Sequence, residues 1–237
     1  KTLKGYGVPP DRQRLIDAVR EVETAIGAVD RIMAGARMPL AGDVRVTTTD
    51  TLATRVMPEV VRDIGRRVSG LRIEIIVSNL PVDLGRGQAD LTIRPAVALP
   101  TELSGVTPAR LGFGAYVAKS ARRDRWIGLS GRLGASLAGE WLSANVPADR
   151  IGASGDSFLI VRELAILGEG IAILPHMVGA ATPDLDWLDD AMPDIDVPIW
   201  VASHADLAAV PRIARMRGLL ADALRERAGM LRGPVRA

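Results

Sequence analysis

The chain has 237 residues, with 30 Lys and Arg against 28 Asp and Glu and a net charge of +2. Hydrophobic residues make up 48% and charged residues 24%, the ordinary balance of a soluble globular protein with one large or two small domains. The absence of cysteine excludes disulfides, thiol catalysis and Cys-based metal sites, and it fits a reducing cytoplasm, the expected location.

No apolar run reaches the roughly 18 residues of a membrane span, so no membrane partner is expected. Lys1 to Asp11 is polar and rich in Gly and Pro, so no secretory leader is expected there. Without an initiator Met the sequence reads as a fragment or a processed form. The Arg residues are scattered, Lys occurs only at Lys1, Lys4 and Lys119, and aromatic residues are 3%. Neither a clustered basic stripe nor a base-stacking surface is expected.

The first element in chain order is a long helix over about 11–35. Pro9 and Pro10 suit a helix start, Asp11 complements its positive end, and Gly35 suits its stop. Leu15, Val19, Val22, Ile26, Val29 and Met33 recur at alternating steps of four and three, an a/d seam. Two readings stand: an amphipathic helix on its own domain, or a helix that pairs with a second copy.

Beyond it, strand and helix alternate. Strands are expected at Asp43–Thr48, Leu71–Val77 and Asp90–Arg94, with a helix face at Leu52, Val56, Val60 or Val61, Ile64 and Val68 between the first two. Pro81–Gln88 reads as a short helix or turn, and the order implies a parallel sheet. A loop to about Pro108 precedes a strand at Leu111–Ala118. A second α/β set follows: strands at Trp126–Leu129, Ile151–Ser154 and Ile171–Leu174, with helices at about 135–144 and Asp156–Leu167. Val197–Ser203 is a further strand, and Ala208–Arg227 an amphipathic helix. Two α/β halves with a ligand cleft between them are expected.

The residues of an enzyme are hard to find. His176 and His204 are the only histidines, and neither falls in a metal-ligand spacing. A structural role is favoured for both. Gly128-Leu129-Ser130-Gly131 lacks the last Gly of a nucleophile elbow. Gly152-Ala153-Ser154-Gly155-Asp156 lacks the Lys of a phosphate loop. Asp184, Asp186, Asp189, Asp190, Asp194 and Asp196 lack the spacing of a calcium loop and read as a solvated face. No catalytic residue, metal or cofactor is assigned.

Several stretches, taken in order, resemble the regulatory region of LysR-type transcriptional regulators. Gly7-Val8-Pro9-Pro10-Asp11 and the following helix resemble the end of the family's winged helix-turn-helix and its linker helix. Gly42-Asp43-Val44-Arg45-Val46-Thr47, Pro58, Leu71-Arg72-Ile73-Glu74-Ile75 and Gly87-Gln88-Ala89-Asp90-Leu91-Thr92-Ile93-Arg94 fall in the family's order. So do Gly168-Glu169-Gly170-Ile171-Ala172-Ile173-Leu174-Pro175, the strongest piece, and Pro198-Ile199-Trp200-Val201-Ala202-Ser203-His204. The stretch between Ser78 and Asp90 is shorter than the family pattern, which blurs any transfer around Asn79.

The resemblance implies an α/β protein with two Rossmann-like subdomains, similar to type 2 periplasmic-binding proteins, after a linker and dimerisation helix. Residues 1–10 would end a DNA-binding wing and 11–35 form the linker. Residues 42–112 with 204–232 would make subdomain I, and 113–203 subdomain II. The implied partners are a small-molecule effector, usually an organic acid, and further copies of the chain as dimer or tetramer. Promoter DNA would be met only through a domain preceding Lys1, and RNA polymerase only by the full-length regulator. A solute-binding protein of a transport system is the alternative on the same fold.

Effector contacts are expected at Thr49, Thr51, Asn79, Arg94, Ser130, Ser154 and Ser157. Hydroxyls and free N–H groups at a strand-to-helix turn suit an anion. Asp50, between the threonines, would repel one. Plain capping competes for Thr49, Thr51 and Ser157, turn chemistry for Asn79, and a salt bridge for Arg94. Dimerisation is expected along Leu15, Val19, Val22, Ile26, Val29 and Met33.

Overall fold

The computed structural model describes residues 42–80, 84–119, 121 and 123–234, together with Ala18, Val19, Val22, Ala25, Ile26 and Val29. Three strands open the fold: β1 (Gly42–Thr48), β2 (Leu71–Val77) and β3 (Leu91–Pro95). β1 pairs in parallel with both, as the intervening helices demand. Val44 and Val46 point into the core and are fully buried.

The expected single helix after β1 is two helices, α1 (Asp50–Arg55) and α2 (Met57–Arg67), broken at Val56. Pro58 is the physical reason, since a proline inside a helix removes a donor and crowds the preceding turn. Leu52, Val60 and Ile64 still reach the core.

The last part of the loop expected up to Pro108, from Leu103 on, is instead strand. β4 runs from Leu103 to Ala118, sixteen residues. Its first part pairs antiparallel with β9 (Ile195–His204), from Leu103 opposite His204 to Phe113 opposite Ile195. A register shift between Val106 and Ala109 accommodates Pro108, which cannot donate to a ladder.

β4 then leaves β9 and pairs with β7 (Ala172–Pro175) and β8 (Leu185–Leu188). β8 lies within the stretch read as a solvated acidic face. Leu185 is buried there, so strand pairing overrides the local charge. The large sheet therefore runs β2-β1-β3-β9-β4-β7, with β8 also on β4. A smaller parallel pair joins β5 (Trp126–Leu129) to β6 (Ile151–Gly155).

The helices of this second part are α3 (Gly131–Gly134), α4 (Leu137–Asn145), α5 (Phe158–Ile166) and α6 (His176–Gly179). Gly168, at φ 84°, ends α5. Its N–H reaches the Ala165 carbonyl, and the Glu169 N–H reaches the Leu164 carbonyl, closing the helix with a left-handed glycine. Two helices finish the chain. α7 (Pro211–Arg225) buries Ile213, Met216, Leu220 and Leu224 against β4 and β9. α8 (Ala228–Arg232) packs on β4 and α6.

His176 sits beneath α8. Its Nδ1 lies 2.8 Å from the Tyr116 hydroxyl, and its ring meets Trp187 edge to face at 5.5 Å. Burial pushes the Tyr116 hydroxyl up to about 12. Burial also holds the His176 imidazole below its ordinary value, with Asp194 opposing weakly. His204 ends β9, and its Nδ1 accepts from the Asp206 N–H at 3.3 Å.

Two predictions arise here. A methyl group at Gly112 would collide with the Arg232 carbonyl. Gly112→Ala should therefore cost about 1–3 kcal/mol, measured by urea unfolding. Because the folded pKa of His176 is depressed, only the unfolded chain gains a proton as pH falls through the ordinary histidine value of 6.5. Stability is thus complete above that value and declines below it, and His176→Gln should flatten the decline in urea midpoints.

Candidate functional site

A cavity of about 320 Å³ opens where β1, β3 and their following turns face α3, α4 and the start of α5. Its floor is Leu111, Phe113 and Val197 on the two long strands. That volume suits a small metabolite. Both phenylalanines of the chain line it, their rings 5.5 Å apart, and most of the remaining wall is aliphatic.

Thr49, Thr51, Asn79, Arg94 and Ser157 all reach this cavity. Ser130 and Ser154 do not line it. Ser130 is an exposed residue preceding α3, and its N–H is spent on the Gly155 carbonyl. Ser154 is exposed on β6, opposite Gly128 of β5. Successive residues of a strand point to opposite faces of its sheet, and the sequence alone did not say which face of β6 looks toward the cavity.

The polar centre is Asp50, which the sequence places in the strand-to-helix turn as a group that would repel an anion. Its Oδ1 accepts from the Thr51 N–H at 2.6 Å and the Thr51 hydroxyl at 2.9 Å. Its Oδ2 accepts from Asn79 Nδ2 at 3.0 Å and the Ser157 hydroxyl at 2.5 Å. The Asp50 N–H in turn reaches Asn79 Oδ1 at 3.1 Å. Burial alone would raise this carboxyl, but the bonds from Ser157, Asn79 and Thr51 outweigh it and hold the pKa below the ordinary value. Thr49 precedes α1 without a side-chain cap bond, while Ser157 caps α5 by accepting from the Leu159 N–H. The capping reading of Ser157 thus holds together with its contact to Asp50.

Arg94 forms no salt bridge among the described residues. Its Nη2 donates to the Ser78 carbonyl at 2.8 Å and the Leu80 carbonyl at 2.9 Å. Burial, and then the like charge of Arg132, hold its pKa below the ordinary guanidinium value. Arg132 stands on α3 across the cavity and has no ion-pair partner among the described residues. Glu140 and Asp156 also line the cavity, but neither is within ion-pair distance of Arg94 or Arg132, and two guanidinium groups with no ion-pair partner among the described residues favour the arrival of an anion. Arg132 was missed in the sequence. Its signal was a lone Arg just after the strand-end pair Ser130-Gly131.

Other expectations resolve more simply. Val19, Val22, Ile26 and Val29 are helical and between 50% and 59% exposed, so the seam carries apolar groups into solvent at these positions. Leu15 and Met33 lie outside the described residues. Among the described residues, no group of three His, Asp or Glu is placed to hold a metal, and no helix is long and apolar enough to cross a membrane.

The LysR substrate binding domain family matches residues 38–225. A probable hydrogen peroxide-inducible genes activator of Mycobacterium xenopi is 30% identical over 101 residues, 41% of this chain. That match spans 52% of the relative's length, about half. Among solved structures, the regulatory domain of OxyR2 from Vibrio vulnificus, as a cysteine-to-serine variant, aligns with a TM-score of 0.65 at 15% identity. It covers 79% of this chain and 96% of that one. The effector binding domain of QuiR in complex with shikimate aligns at 0.63 and 17% identity, covering 77% and 96%. These structures share the chain's fold, which is of the type 2 periplasmic-binding kind. The chain belongs to the LysR substrate binding domain family, the effector-binding part of LysR-type transcriptional regulators.

Proposed function

We propose that this chain senses a small organic acid in the cleft between its two halves, and that occupancy of the cleft controls transcription through a DNA-reading domain of the same regulator. The observation that carries this reading is the pair Arg94 and Arg132, unpaired cations on opposite walls of a largely aliphatic cavity. A carboxylate with a compact apolar body matches both features: the charge meets the guanidinium groups, and the body meets Phe113, Phe158 and Leu111. QuiR's domain, of similar fold, is in complex with shikimate. For the Mycobacterium relative, peroxide is the printed signal. This chain has no cysteine, so a response based on thiol oxidation has no group to act on within it.

The division into residues 42–112 with 204–232 against 113–203 belongs to the same reading, with β4 and β9 as the strands on which the halves would move. The seam through Val19, Val22, Ile26 and Val29 supports self-association, since apolar groups at this spacing are stabilised when a second helix covers them. DNA and RNA polymerase would be met only by the full-length protein.

Native mass spectrometry of the purified chain, before and after denaturation, should release a carboxylic acid. With that acid, Arg94→Ala and Arg132→Ala should each weaken binding by about tenfold or more in calorimetry, the worth of a charge-assisted hydrogen bond. Unchanged affinity in both variants would reject the reading. In sedimentation, Ile26→Asp should shift the chain toward monomer, and an unaltered oligomer would remove the seam from the account.

A further inference from the structure

The four-donor cluster around Asp50 is a complete carboxylate-binding socket, and the chain fills it with its own side chain. A carboxylate offers about four acceptor positions. Here they take the Thr51 N–H and hydroxyl, the Asn79 amide and the Ser157 hydroxyl. Three of these donors come from the half of the fold built on β1 to β3. The fourth, Ser157, lies beyond β6 in the other half, 107 positions away. One carboxylate therefore ties the two walls of the cleft together.

We infer that Asp50 is an internal counterpart of the effector's carboxylate: a latch that holds the α1 and α5 sides of the cleft together without effector and directs an incoming acid to Arg94 and Arg132. This rests on the reading of the cleft as an effector site. The chemistry leaves little alternative for an entering acid. At the socket it would meet donors already engaged and a like charge. At the guanidinium groups it would meet donors with no anionic partner. Thr51 and Ser157, whose hydroxyls look like effector contacts in the sequence, are spent on the latch.

Hydrogen exchange tests this without any effector. Asp50→Ala removes the latch but leaves the Ser157 cap on the Leu159 N–H in place. Amides in the first turn of α5 and in the adjoining stretch of β4 and β9 should exchange on the order of tenfold faster than in the parent. Sodium acetate, compared with sodium chloride, should restore protection in Asp50→Ala by filling the vacated socket and should do nothing for the parent. Unchanged protection in Asp50→Ala, or an equal response of parent and variant to acetate, overturns the inference. Asp50→Asn keeps the volume and serves if the alanine variant does not fold. It should loosen the same amides yet ignore acetate, and parent-like exchange in it also overturns the latch. Adding Arg94→Ala to Asp50→Ala should leave the acetate response intact. If the response disappears, acetate sits on the guanidinium, so the latch fails while the effector reading stands.

Discussion

Everything at the cleft depends on the pairing of β4 with β9. These strands run antiparallel from the Leu103–His204 pair to the Phe113–Ile195 pair, then part. β4 goes on to serve β7 and β8, while β9 has β3 on its other side. One ladder therefore belongs to two assemblies, and a gap must remain where they diverge. Hydrophobic alternation along β9 fixes which side of the ladder is buried, with Val197, Ile199 and Val201 all turned inward. The cavity floor is the surface left over: Leu111 and Phe113 from one strand, Val197 from the other.

Charge on the walls follows from this geometry. The start of α1 and the end of β3 bring Asp50 and Arg94 to one wall, and α3, just after β5, brings Arg132 to the other. Asp50 is stabilised as an anion by neutral donors. Among the described residues Arg94 is bound to carbonyl oxygens alone, and it is repelled by Arg132. The two sites thus differ in what they lack. The first has its charge satisfied internally, and the second has cationic donors without an anion. This asymmetry, more than the shape of the cavity, is what supports the proposal that the ligand is an acid.

Much of this was legible in the sequence because periodicity reports burial directly. The strand at Asp43–Thr48, the helix over about 135–144 and the amphipathic helix over Ala208–Arg227 each came from a local rule that the packing obeys. The failures were also local rules, overruled by partners distant in the chain. Leu103 to Pro108 looked like loop because its proline hides a strand that only β9 can stabilise. Leu185 to Leu188 looked solvated because its acids mask pairing with β4. At the site, strand ends pointed to Thr51, Asn79 and Arg94, which all line the cavity. Ser130 and Ser154 depended on which way a short parallel pair faces, which the sequence does not state. Asp50 was visible as a group that would repel an anion, but its contacts with Asn79 and Ser157, distant in the chain, were not.

The central claim, that an acid binds between Arg94 and Arg132, is tested most directly by nitrogen-15 spectra of the arginine side chains. The chain would be titrated with the carboxylic acid that it retains on purification. The account predicts that the Nε–H signals of Arg94 and Arg132 shift together, along one binding curve, while those of Arg72 and Arg225 on the surface stay in place. Saturable binding that leaves both cleft arginines unmoved would contradict it.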